Sequence, residues 1–97
     1  MATYITLIRY TQRGIQNMKE SPERLEKAKE AIKAAGGELK TFYLTLGHYD
    51  AVAIGEAPSG EVYATAILTI ASAGAISTET LRAFTEDEYR KIVSAIP

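Results

Sequence analysis

Two runs of strand-forming residues, 38–46 and 51–57, are joined by only Gly47-His48-Tyr49-Asp50. Four residues cannot carry a chain back across a sheet, so the two strands must run antiparallel. The turn also gathers chemistry: it holds the only histidine of the chain, next to a phenol and a carboxylate. It fixes one hairpin of the fold and is the first place to look for a site.

The other elements arrange themselves around that hairpin. Residues 3–10 (TYITLIRY) are β-branched and aromatic, with no glycine or proline, and predict a strand. Both of its faces carry apolar groups, so cover is expected on both sides. Residues 11–20 form a connector of partly helical character, with Ile15 and Met18 expected to turn inward and Gly14 weakening the helix. Ser21-Pro22-Glu23 predicts a helix start with Ser21 as cap. That helix runs to about Ala35, with Leu25, Ala28, Ile32 and Ala35 on one face, and stops at Gly36-Gly37. The second strand is expected to put Leu39, Thr41 and Tyr43 on one side and Phe42 and Leu44 on the other. Ser59 opens an alanine-rich helix to about Ala73, residues 75–84 form a last strand, and Thr85 caps a short terminal helix.

The order β-α-β-β-α-β predicts an α+β fold of the ferredoxin-like kind. Its right-handed crossovers place two helices on one face of a four-stranded antiparallel sheet. The opposite face is also apolar but has no cover in the chain, so a second copy packed sheet to sheet is the expected partner, in a homodimer or a larger homo-oligomer.

Composition narrows function. The 97 residues are read as one domain, 1–97, with a modest core. A large internal cavity would compete with that core, which puts a sizeable ligand site between subunits or on the open sheet face. The net charge of −1, with both signs interspersed, argues against a nucleic-acid partner. The basic run from Arg24 to Lys33 is interrupted by Glu26 and Glu30 and reads as a solvated helix face. With no cysteine and one histidine, thiolate chemistry is excluded and no metal site is expected. No phosphate-binding glycine loop or hydrolase motif occurs, so no cofactor is expected. No run suits a signal peptide or a membrane span, and the expected location is the cytoplasm, with no membrane partner.

The turn, written as Gly47-His48-Tyr49-Asp50, resembles the Gly-Tyr-Asp signature of the GYD domain family, with one histidine inserted or substituted relative to the tripeptide. Gly14-Ile15, Ser21-Pro22, the run 42–47 that enters the turn, and 78–84 near the end also fit that family. The resemblance implies a dimeric α/β barrel within the ferredoxin-like group. It implies no activity, because no catalytic motif of the enzymes in that group is matched.

Three sets of residues are candidates. His48, Tyr49 and Asp50 offer an acid–base group with orienting partners; the alternative is a turn in which Asp50 accepts backbone N–H groups and Tyr49 packs. Arg9, Glu79 and Arg82 are charges within strands, able to clamp an anion or to pair across strands or across a dimer. Tyr10 and Tyr43, with Tyr4, can line a ligand pocket or an interface. The functional reading is a small-molecule binding module, with the ligand at the sheet or dimer interface. A cofactor-independent enzyme using His48 and a purely structural oligomer are the alternatives.

Overall fold

The computed structural model describes residues 1–97. The strands are β1 (Ala2–Tyr10), β2 (Glu38–Leu44), β3 (Ala51–Ala57) and β4 (Ile76–Ala83), in the sheet order β2-β3-β1-β4. All neighbouring pairs are antiparallel. The helices are α1 (Gln12–Gln16), α2 (Ser21–Ala34), α3 (Gly60–Ala71) and α4 (Glu86–Ser94), with a 3₁₀ turn at Met18–Glu20. This is the expected ferredoxin-like α+β arrangement.

Strand alternation separates the two faces of the sheet. Tyr4, Thr6 and Ile8 of β1 and Ala51, Ala53, Gly55 and Ala57 of β3 are buried on the helix side. Their neighbours Ile5, Leu7, Val52 and Ile54 point the other way and are only half-buried. At the floor of the helix side, Tyr63 of α3 stacks on Tyr4, with ring centroids 4.4 Å apart. Its hydroxyl meets Thr6 Oγ1 at 2.7 Å. Burial pushes the Tyr63 phenol above its ordinary pKa, the Thr6 hydrogen bond opposing that rise.

β2 departs from the expected alternation. A bulge at Lys40 interrupts its register with β3, so Leu39 and Phe42 both face the helices. Tyr43 pairs with Val52 on the open face and is 59% exposed, so it does not join Tyr4 and Tyr10. The bulged Lys40 bridges Glu38 at 3.0 Å and Glu56 at 3.5 Å. The hydrogen bond and charge of Glu38, with Glu56 adding to them, raise its pKa.

The connector between β1 and α2 also differs from expectation. α1 turns Gly14 inward, and Ile15 and Met18 point outward. Only a residue without Cβ lets the backbone approach Ala75 this closely, and the side chain that follows Gly14 is then carried away from the core. Ser21 is not the cap of α2: the 3₁₀ turn runs straight into the helix, and Ser21 N already donates to Met18 O. Ser59 and Thr85 do cap, the latter in a reciprocal capping box with Glu88.

The chain leaves much of itself in contact with solvent. Its accessible surface is 6610 Å², about 1100 Å² above the roughly 5500 Å² expected of a 10.6 kDa monomer. The radius of gyration is 14.6 Å, against about 12.5 Å for a compact chain of this length. No helix is long and apolar enough to cross a membrane.

Candidate functional site

The Gly47–Asp50 turn is built mainly from backbone requirements. Gly47 has φ 129°, a conformation that suits glycine. Asp50 Oδ2 accepts from Tyr10 N at 2.9 Å, and Asp50 N donates to Ile8 O at 2.8 Å. Thr45 N donates to Asp50 O at 2.9 Å, and Thr45 Oγ1 donates to Tyr49 O at 2.7 Å. Asp50 thus bolts the hairpin to the end of β1. His48 is exposed and touches only the edge of the Tyr49 ring, with centroids 5.4 Å apart. No hydrogen bond links His48 to Asp50, so the three residues do not converge on one point.

Tyr49 instead leans onto the open face of the sheet. Its hydroxyl donates to Glu79 Oε1 at 3.1 Å, and the Arg9 guanidinium lies 5.0 Å from its ring centroid. Arg9, Tyr49 and Glu79 therefore form one polar cluster beside Leu7 and Ser77. Arg82 is elsewhere, toward the other end of β4. It donates to Thr3 O at 3.3 Å and to Ala83 O, lies 4.4 Å from the Phe84 ring centroid, and meets Glu88 at 3.8 Å. The Thr85 backbone N–H hydrogen bond, with Arg82 contributing, holds the Glu88 carboxyl below its ordinary range. The strand charges therefore divide into two local clusters rather than forming one clamp.

These contacts set opposite expectations for two neighbours. Asp50→Ala removes a charged acceptor from a backbone donor and should cost about 2 kcal/mol, lowering the melting temperature by roughly 4–8 °C per kcal/mol. His48→Ala should change stability by less than about 0.5 kcal/mol, as for other exposed positions. Thermal denaturation of both variants checks this; equal losses would make His48 part of the bolt.

An apolar recess lies on the helix side, between the sheet and the α2/α3 pair. Its volume is about 300 Å³, at the lower end of ligand-pocket sizes. Ile8, Leu39, Phe42, Ile67, Ile70 and Ile76 supply the large aliphatic and phenyl groups of its apolar wall, alongside Leu25 and Ile32. Alanines explain why it is open: Ala28 and Ala31 of α2 face Ala53 of β3, with Ala73 and Ala75 after α3. Small side chains on both layers cannot fill the space between them. Thr6 and Tyr63 close the floor, and Tyr10, Ser21, Arg24 and Lys27 contribute polar groups.

Of the residues singled out from sequence, Tyr10 lines this cleft, whereas His48, Tyr49, Asp50, Tyr43 and Arg82 do not. Arg24 and Lys27, expected on a solvated face, also border it: Lys27 is exposed as expected and Arg24 is half-buried. A sizeable ligand site is expected from the sequence between subunits or on the open sheet face; this modest cleft lies on the opposite, helix-covered face. The legible signal was the set of alanines at inward helix and strand positions.

The GYD domain family model matches residues 4–93. A Thermus thermophilus protein named glutamine synthetase and cystathionine beta-lyase binding protein is 33% identical over 84 residues, which span 86% of this chain and 88% of that one. A crystal structure of a protein from Thermus thermophilus is 28% identical and superposes with a TM-score of 0.56, covering 88% of this chain and 95% of the other. A feast or famine regulatory protein from M. tuberculosis, solved with L-methionine, shares the fold at 17% identity with a TM-score of 0.63. That match covers 90% of this chain and 54% of the regulator.

Proposed function

The chain belongs to the GYD domain family, and on that premise we propose that it works in the cytoplasm as a non-catalytic binding module, taking a small apolar molecule in the cleft beneath α2 and α3. The observation that carries this reading is the cleft itself: an apolar recess of about 300 Å³ with few polar groups, the usual make-up of a small-ligand site. The geometry of the turn favours binding over catalysis. Asp50 is engaged by backbone, Tyr49 by Glu79, and His48 stands in solvent without an orienting partner.

A second copy of the chain covers the open sheet face and closes the two sheets into the dimeric α/β barrel. The excess surface of about 1100 Å² supports this, since a standard interface buries about 800 Å² per partner. Ile5, Leu7, Val52, Ile54 and Leu81 supply an apolar centre, and Arg9, Glu56 and Glu79 a polar rim.

Amide chemical shifts during titration with p-cresol, a neutral probe, test the cleft. Shifts are expected at Ala28, Ala53 and Ala75. Shifts confined to Ile5, Ile54 and Leu81 would move the ligand to the sheet interface and defeat the cleft reading.

A second reading has support of its own. The Thermus relative is named for binding two enzymes, and α4 presents Tyr89, Ile92 and Val93 to solvent, with Ile96 exposed just after it. On this reading α4 is the surface through which the oligomer docks on an enzyme of amino-acid metabolism. It is compatible with an occupied cleft.

A further inference from the structure

The cleft carries positive charge on one side and no negative charge at all. Ser21, Arg24 and Lys27 border it from the first two turns of α2, and no aspartate or glutamate lines it. Arg24 is half-buried and already oriented: Nη1 donates to Asn17 O at 2.9 Å and Nη2 to Gly14 O at 3.4 Å. Both partners are neutral carbonyls, so its charge is uncompensated and several of its five N–H groups remain free. Lys27 is in no ion pair; the nearby Glu26 is engaged by Lys29 at 3.3 Å. The Tyr10 hydroxyl and Ser21 Oγ, 3.5 Å apart, share one hydrogen bond and leave one hydroxyl donor against the same part of α2.

Resting on the cleft reading, we propose that the ligand is a small apolar carboxylic acid without an amine: its hydrocarbon body fills the alanine-lined recess and its carboxylate meets Arg24 and Lys27. A guanidinium held in place receives a carboxylate through two parallel hydrogen bonds, and the free ammonium adds a point charge. An amine has no such place. An ammonium at this border would find two cations and no carboxylate, and like charges repel it. The same argument excludes α-amino acids, whose carboxylate fits but whose ammonium does not. It also separates this site from the Arg9–Tyr49–Glu79 cluster, where a carboxylate is already present.

Calorimetric titration with hexanoate, hexanamide, hexylamine and L-norleucine at low salt tests the proposal, because the four probes share one alkyl body. Hexanoate is expected to bind at least about tenfold more tightly than the other three, and added salt should weaken it. Lys27→Ala, at an exposed position, should cost about tenfold for hexanoate and leave hexanamide unchanged. Equal affinity for hexanoate and hexanamide would overturn the carboxylate while leaving the cleft reading in place. Tighter binding of L-norleucine than hexanoate would overturn the exclusion of amines. Failure of all four at millimolar concentration would overturn both the acid and the cleft.

Discussion

Replacing Ile54 by lysine is expected to turn an oligomer into a folded monomer. Ile54 lies on the inner strand β3, opposite Ile5 on β1 and Thr41 on β2, at the centre of the open face. In a sheet-to-sheet dimer its side chain is sealed from water by the partner. A lysine there would bury an ammonium without a counter-charge, a loss on the scale of about 3–5 kcal/mol. Two-fold symmetry repeats the substitution in each copy, which is ample to dissociate a standard interface at micromolar concentration. In the isolated chain the same lysine points to solvent beside half-buried neighbours and should change stability by about 0.5 kcal/mol or less. Sedimentation therefore separates the cases: a fall in mass with an unchanged circular dichroism spectrum is expected. A mass that does not change would mean that this face is not the interface.

Gly14→Ala is the second large effect, and its sign is the informative part. Helix propensity alone makes alanine better than glycine by about 1 kcal/mol. The packing says the opposite. A Cβ at position 14 would lie 2.1 Å from Ala75 O and 3.1 Å from its carbonyl carbon. Neither is a flexible side chain that can swing aside. The clash sits where Thr11 N donates to Ala75 O at 3.0 Å and Thr11 Oγ1 donates to Gly74 O at 2.6 Å. Relief requires α1 to lift from the start of β4, breaking these bonds. Overpacking ordinarily costs about 1–3 kcal/mol, and a backbone collision belongs at or above the top of that range. Gly60→Ala serves as the control, because its Cβ would meet only the Tyr4 hydroxyl at 3.4 Å. Thermal unfolding should show a large loss for Gly14→Ala and little change for Gly60→Ala. A stabilised Gly14→Ala would show that α1 does not rest on Ala75.

Much of the fold could be read from the chain because its periodicities are local. The four-residue link at 47–50 dictates a hairpin, and Ser59 and Thr85 announce the helices they cap. The errors came where tertiary contacts decide. Ser21 resembles a cap, but the preceding 3₁₀ turn runs straight into the helix and leaves Ser21 itself with helical φ −56° and ψ −43°, not the extended backbone of a cap. Leu39 changes face because a bulge adds a residue, and Lys40 sits in that bulge between two glutamates rather than in any pattern of alternation. Gly14 looked like a weak point in a helix; its role depends on Ala75, far along the chain.

The candidate site was harder to read for a related reason. Catalytic-looking residues that are neighbours in sequence, His48, Tyr49 and Asp50, diverge in space, as turn residues do. A cleft made by what is missing leaves no motif. It arises where Ala28 and Ala31 come opposite Ala53, and only the pairing of layers brings them together. Arg24 and Lys27 then change meaning, from ordinary helix charges to the polar border of a recess.

Native mass spectrometry of gently purified protein tests the central claim most directly, because subunit number and retained small molecules are read together. The expected spectrum is an even-numbered oligomer of the 10.6 kDa chain carrying a defined organic mass on each copy. A bare monomer would contradict both the covered sheet face and the occupied cleft.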